Sequence, residues 1–179
     1  MASFKNIDVS IFIVDDDELL TKILRTKFSQ NNSYKVYSFS SGEDFLSFYY
    51  NYPKSKKHIH ILIIDYLLKP NEPTHLNKNG IDFSNEAKRI NPDIKTIVIS
   101  GVDDSSIAKQ AEENGAVAFI KKNENSFLRI NNQINFIISE TQLHLSHKKS
   151  LFFKKIFFAF LIVFLLFIVY IFVSNFLEN

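Results

Sequence analysis

Five short apolar runs, each followed by a stretch of helical periodicity, leave this chain few folds to choose from. Ile7–Val14 (IDVSIFIV), Tyr34–Phe39, Ile59–Ile64 (IHILII), Ile94–Ile99 and Ala116–Ile120 read as strands. Between them, Asp17–Phe28 carries Leu19, Leu20, Ile23, Leu24 and Phe28 on one helical face. Ser40 and Glu43 fit a capping box opening a helix to about Tyr50. Ile81–Ile90 reads as a helix stopped near Asn91-Pro92, and Ser105–Glu113 as one stopped by Gly115. Ser126 onward is helical again. Alternating strands and helices imply an α/β fold, with a doubly wound five-stranded parallel sheet covered on both faces. The ligand site of such a sheet lies beyond the carboxyl ends of its strands.

Those ends carry the chemistry. The first strand runs into Asp15, Asp16, Asp17 and Glu18, the third into Asp65, the fourth into Ser100-Gly101, and the fifth into Lys121 and Lys122. Three carboxylates in one pocket repel one another, so a cation is needed to keep them ionised. Hard oxygen ligands suit Mg²⁺, which takes one or two carboxylates and keeps several waters. A hydroxyl and an ammonium opposite them can bind phosphoryl oxygens. The expected chemistry is phosphoryl transfer onto a carboxylate. Each piece alone has a bland explanation: DDDE as charge at a helix N-terminus, Asp65 as a turn residue, the lysines as a solvated edge. No bland explanation demands the ordered set.

That ordered set resembles the receiver domains of two-component response regulators. The resemblance covers about residues 7–140 and rests on IFIVDDDELL, ILIIDYLL, IVISG and NGAVAFIKK. It implies a flavodoxin-like sheet of order 2-1-3-4-5. Asp15 and Asp16 match the acidic pair that binds Mg²⁺, with Asp16 the preferred direct ligand. Asp65 matches the phosphoacceptor, and Leu67 falls where a backbone carbonyl supplies the third protein ligand. Ser100 matches the hydroxyl that follows the phosphoryl group, Phe119 the aromatic switch, and Lys122 the lysine. The implied partners are a histidine kinase or a histidine phosphotransfer protein. Beyond Mg-dependent self-phosphorylation and dephosphorylation on Asp65, no enzyme activity is implied.

Three departures stand out. The family usually has Met-Pro soon after its phospho-aspartate; here Leu68-Lys69-Pro70 stands, and Gly80 comes about seven residues late. The enlarged loop 66–79 flanks the site, where it would alter partner docking or dephosphorylation. A proline usually follows the lysine, often through a cis bond. Asn123 stands here, and a cis bond before it would cost about 2.5–4 kcal/mol, so a trans bond is expected. Phe119 lacks the usual tyrosine hydroxyl.

The C-terminal segment is different in kind. Ile156–Val173 is an unbroken apolar run of 18 residues, about 27 Å long as a helix, close to a bilayer core. It suggests a transmembrane helix over 156–176 with a tail at 177–179, preceded by a basic juxtamembrane linker, 141–155. Lys148, Lys149, Lys154 and Lys155 precede the run and only Glu178 follows it. The positive-inside rule then predicts a single-pass protein of the cytoplasmic membrane, with domain 1–140 facing the cytoplasm. Residues 1–146 hold 17 Lys/Arg against 18 Asp/Glu, which argues against a nucleic-acid-binding surface. The chain has no cysteine, excluding disulfides and thiolate chemistry. With no glycine or proline after Gly115, nothing forbids one helix from Ser126 to Phe176, and 139–150 is where it would fray.

The leading expectation is a membrane-tethered receiver phosphorylated on Asp65, with output by protein contact, by homodimerisation or as a phosphate sink. The alternative is a non-phosphorylated receiver-like membrane adaptor. A small phosphatase using an aspartyl-phosphate ranks third, because it would need a general acid and a substrate cap. The five histidines lack metal-ligand spacing and read as surface or interfacial.

Overall fold

The structure, a computed structural model, describes residues 8–55, 58–68, 78–102 and 104–177. Within the last helix it describes no side chains at 145–153, 155, 163 or 165–177. Two compact units divide after Ile137.

In the first unit, β1 (Asp8–Val14), β2 (Tyr34–Phe39), β3 (His58–Asp65), β4 (Lys95–Ser100) and β5 (Ala118–Lys121) form one parallel sheet. The order is β2-β1-β3-β4-β5, the doubly wound, flavodoxin-like arrangement expected. Helices α1 (Glu18–Phe28), α2 (Gly42–Tyr50), α3 (Gly80–Ile90), α4 (Ser105–Glu113) and α5 (Ser126–Leu177) follow the strands in turn. β1 and β3 lie inside the sheet, and the side chains on both of their faces are buried. Ile11, Phe12, Ile13 and Val14 are fully buried beside Ile61, Leu62, Ile63 and Ile64. That is why these strands read as unbroken apolar runs rather than alternating ones. On one face α2 meets α3 so closely that a Cβ on Gly42 would strike the Phe83 ring. On the other, Phe28 of α1 lies 5.3 Å from Phe127 in the first turn of α5.

Local signals set the helix ends. Asp17 caps α1, accepting from the amides of Leu19 and Leu20. Asn79 and Asp82 form a reciprocal capping box on α3. Gly115, at φ +73°, ends α4 in the left-handed region, with the Ala116 amide donating back to Ala111.

Three sequence readings need correction. Ser41, not Ser40, caps α2, its hydroxyl accepting from the Asp44 amide at 3.1 Å; Glu43 is therefore not its reciprocal partner. The buried stripe of α1 is narrower than expected. Leu24 and Phe28 are buried and Leu20 is half-buried, a spacing of four that holds one line down the helix. Leu19 and Ile23 lie off that line and are exposed. His60 is not a surface residue but is 1% exposed. It sits in the fully covered β3, with its Nδ1 2.8 Å from the Tyr49 hydroxyl and its ring against Phe12. Burial first, then His58 and Lys54, push its pKa down to about 4, so it is neutral. His58 is half-buried, 2.8 Å from Ser10 Oγ.

α5 is one helix of 52 residues, as the lack of glycine and proline after Gly115 allows, and 139–150 is helical within it. In the second unit the side chains of Phe157, Phe158 and Phe160 are exposed. Among the described residues no helix is long and apolar enough to cross a membrane. The expected span 156–176 falls mostly on side chains outside that set; of the expected tail 177–179, residue 177 is the last of α5 and 178–179 lie outside the described residues.

Candidate functional site

Strand register brings the sequence candidates together. Val14 pairs with Ile64, so the residues that follow, Asp15 and Asp65, emerge side by side at the carboxyl edge. Asp65 pairs with Ile99, and Ser100 with Lys121. One edge therefore gathers the ends of β1, β3, β4 and β5. It is the opposite edge from the one where His58 begins β3.

The acids form a compact cluster. One carboxylate oxygen each from Asp15, Asp16 and Asp65 lies within 4.8 Å of the other two. Asp15 and Asp65 are buried, and Asp16 is half-buried. Asp15 Oδ1 accepts from the Asp17 amide at 2.9 Å, which fixes the carboxylate at the start of α1. Lys122 closes the cluster from the position just after β5. Its Nζ donates to Asp65 Oδ2 at 2.7 Å and stands 2.8 Å from Asp15 Oδ2. The second contact is a buried ion pair, and beyond Lys122 the Asp15 Oδ2 atom has no hydrogen-bond partner among the described residues.

Among the described residues the two buried carboxylates, Asp15 and Asp65, share the one Lys122 ammonium, which leaves the pair negatively charged. Burial raises the Asp65 carboxyl to about 6; the Lys122 hydrogen bond opposes the shift, and the Asp15 charge adds to it. Burial raises Asp15 as well, again against Lys122. Burial alone would lower the Lys122 ammonium, but its two carboxylates hold it above its ordinary value. Such residual negative charge, with all-oxygen donors and an under-satisfied buried oxygen, fits a hard divalent cation.

Ser100 is fully buried, and its Oγ accepts from the Val102 amide at 3.1 Å. Phe119 is half-buried and packs against the aromatic core below the site. Leu67 has an exposed side chain and donates its amide to the Asp65 carboxylate. Most of the enlarged loop, 69–77, lies outside the described residues, His75 included.

Two residues matter more than the sequence suggested. A Cβ on Gly80 would overlap the backbone carbonyl oxygen of Asp65, and the Gly80 amide donates to Tyr66 O at 2.9 Å. Only glycine lets α3 start this close to the acceptor's backbone. The signal was its position on the first residue of a helix next to the loop after Asp65. Ser126, 4% exposed, holds the loop after Lys122; a serine opening a helix gave no hint of that.

Comparison with known proteins agrees with this fold. The model of the response regulator receiver domain family matches residues 11–131. No curated protein matches the chain. Among solved structures, a CheY-like receiver domain protein from Methanospirillum hungatei JF-1 is 20% identical, with a TM-score of 0.62, over 76% of this chain and 98% of that one. A receiver domain protein from Clostridium thermocellum is 22% identical, with a TM-score of 0.62, over 75% and 98%. A response regulator from Burkholderia pseudomallei, solved with a phosphorylated aspartic acid and a calcium ion, is 18% identical. Its TM-score is 0.56, over 74% and 73%. At these identities the likeness shows a shared fold.

Proposed function

Because this chain belongs to the response regulator receiver domain family, we propose that it is a two-component receiver phosphorylated on Asp65 by a histidine kinase or a histidine phosphotransfer protein. The observation that carries this is Lys122 bridging Asp15 and Asp65 at 2.8 and 2.7 Å, with Asp16 completing the carboxylate cluster. An Asp65 oxygen attacks the phosphorus of the donor, and the bond from phosphorus to the donor's imidazole nitrogen breaks. The Lys122 ammonium lies where it can neutralise charge growing on the phosphoryl oxygens. Ser100 Oγ, at the neighbouring strand end, would supply the hydroxyl that bonds the new phosphoryl group. Phe119, against the core, is the ring whose packing would report that bond. Water then attacks the phosphorus of the aspartyl phosphate, the bond from phosphorus to the Asp65 oxygen breaks, and inorganic phosphate leaves with the carboxylate restored.

Asp15, Asp16 and Asp65, with the Leu67 carbonyl, would hold Mg²⁺. When bound, the ion offsets the negative charge of the acids and of the incoming phosphoryl group. Leu67 enters this set through the family pattern alone.

The apolar run Ile156–Val173 supports a second part of the reading, a single-pass anchor over 156–176 in the cytoplasmic membrane. The four lysines before it support a cytoplasmic receiver facing anionic lipid. Output would then come from protein contact or dimerisation at that surface, or from draining phosphoryl groups.

The test incubates the full chain with Mg²⁺ and acetyl phosphate or a phosphorylated kinase. Label that appears in the wild type and disappears in Asp65→Asn supports the reading. Equal labelling of both, or none from any donor, favours a non-phosphorylated adaptor.

A further inference from the structure

Lys122 reaches two carboxylates from a loop without the proline that usually follows this lysine in the family. Asn123 follows it instead, and no peptide bond among the described residues is cis. Something else must fix the lysine's direction, because a lysine side chain has four rotatable carbons and little preference of its own.

The groups on either side of Lys122 converge on one hydroxyl. Ser126 Oγ accepts from the Asn123 amide at 2.5 Å. Its single proton serves two carbonyl oxygens, Lys121 O at 3.1 Å and Asn123 O at 2.6 Å. The Ser126 amide donates to Asn123 O at 3.0 Å, and Asn123 Oδ1 accepts from the Asn125 amide at 3.0 Å. Ser126 is 4% exposed, so water does not readily replace these bonds. The Lys122 amide donates to Ser100 O at 2.7 Å, which ties the same backbone to the strand carrying the switch hydroxyl.

We propose that Ser126 is a positioning residue for phosphoryl transfer, its hydroxyl clamping the peptide groups on both sides of Lys122 and so fixing the ammonium over Asp65 and Asp15. The role rests on the proposed function of Asp65 as acceptor. Ser126 touches neither carboxylate; it acts through the lysine's backbone, doing by hydrogen bonding what a proline ring does by covalent restraint.

The test compares full-length wild type, Ser126→Ala and Ser126→Thr in two assays. The first is Mg²⁺-dependent labelling by acetyl phosphate. In Ser126→Ala the labelling rate at saturating Mg²⁺ should fall about tenfold or more, since small misplacements of a charged group carry penalties of that order. The Mg²⁺ concentration for half-maximal rate should not rise, because the three acids are untouched. Ser126→Thr, which keeps the hydroxyl, should recover most of the rate. The second assay is amide hydrogen exchange without any phosphodonor. Ser126→Ala should speed exchange at Lys122 and Asn123 about tenfold or more, with the amides of β1 and β3 unchanged. Unchanged exchange at Lys122 and Asn123 overturns the clamp, as does faster exchange spread across the whole sheet. A wild type that takes no label refutes the acceptor role of Asp65, and exchange alone then decides the clamp.

Discussion

Removing the acceptor's charge should stabilise the metal-free protein. Asp65 is 6% exposed, and its carboxyl is raised to about 6 from an ordinary 3.8. A carboxyl with a folded pKa above its unfolded value costs stability when ionised. The cost is full above about pH 6, shrinks as pH falls through that value, and is gone below 3.8. The shift corresponds to about 3 kcal/mol at pH 7.5. Asp65→Asn is isosteric and leaves Lys122 an acceptor, so in EDTA the variant should be more stable by up to about 3 kcal/mol. At pH 5 protonation already relieves the wild type, and the advantage should drop by about 1.4 kcal/mol. Mg²⁺ should stabilise the wild type, and the Asn variant much less, because the variant lacks one anionic ligand. Urea unfolding followed by far-UV circular dichroism, at both pH values and with and without Mg²⁺, measures all of this. A variant less stable than wild type in EDTA at pH 7.5 would refute the account of Asp65 as a charge held at a cost.

Three further outcomes are expected. His60 is buried neutral with its pKa lowered to about 4, so it contributes stability that is whole above 6.5 and is lost as pH falls towards 4. Between pH 7.5 and 5 the wild type should lose about 2 kcal/mol that His60→Phe does not, a difference visible in urea midpoints. Gly80→Ala should cost about 1–3 kcal/mol in the same assay, because the added methyl overlaps the Asp65 carbonyl oxygen; its labelling rate should fall too. Lys122→Met should reduce labelling by acetyl phosphate by about 10²-fold, the usual effect of losing one charge-stabilising donor; an unchanged rate would remove the lysine from the chemistry.

The site was legible where residue identity and strand position coincide. Asp15, Asp65, Ser100 and Lys122 each follow an apolar strand, and in a parallel sheet every strand ends on the same side. Sequence alone could therefore place them together before any distance was known. What it could not show was tertiary environment. His60 looks like the exposed member of an apolar strand until β3 is seen to lie between two others, with Tyr49 folded over it. Leu19 and Ile23 share a helix with Leu24 and Phe28, and only the packing of α1 shows that the stripe excludes them. Ser41 rather than Ser40 caps α2 because its backbone is extended, at φ −142°, with its hydroxyl towards the first turn; two adjacent serines carry no sign of which will be. Gly80 acts through proximity to the end of another strand, and Ser126 through a local loop conformation; residue type alone encodes neither.

The most direct measurement of the central claim is the location of the label. Full-length protein is treated with Mg²⁺ and acetyl phosphate, reduced with borohydride to trap the acyl phosphate, digested, and mapped by mass spectrometry. Modification confined to Asp65 is the predicted result. Modification on Asp15 or Asp16 instead, or an unmodified Asp65 in protein that still binds Mg²⁺, would contradict it.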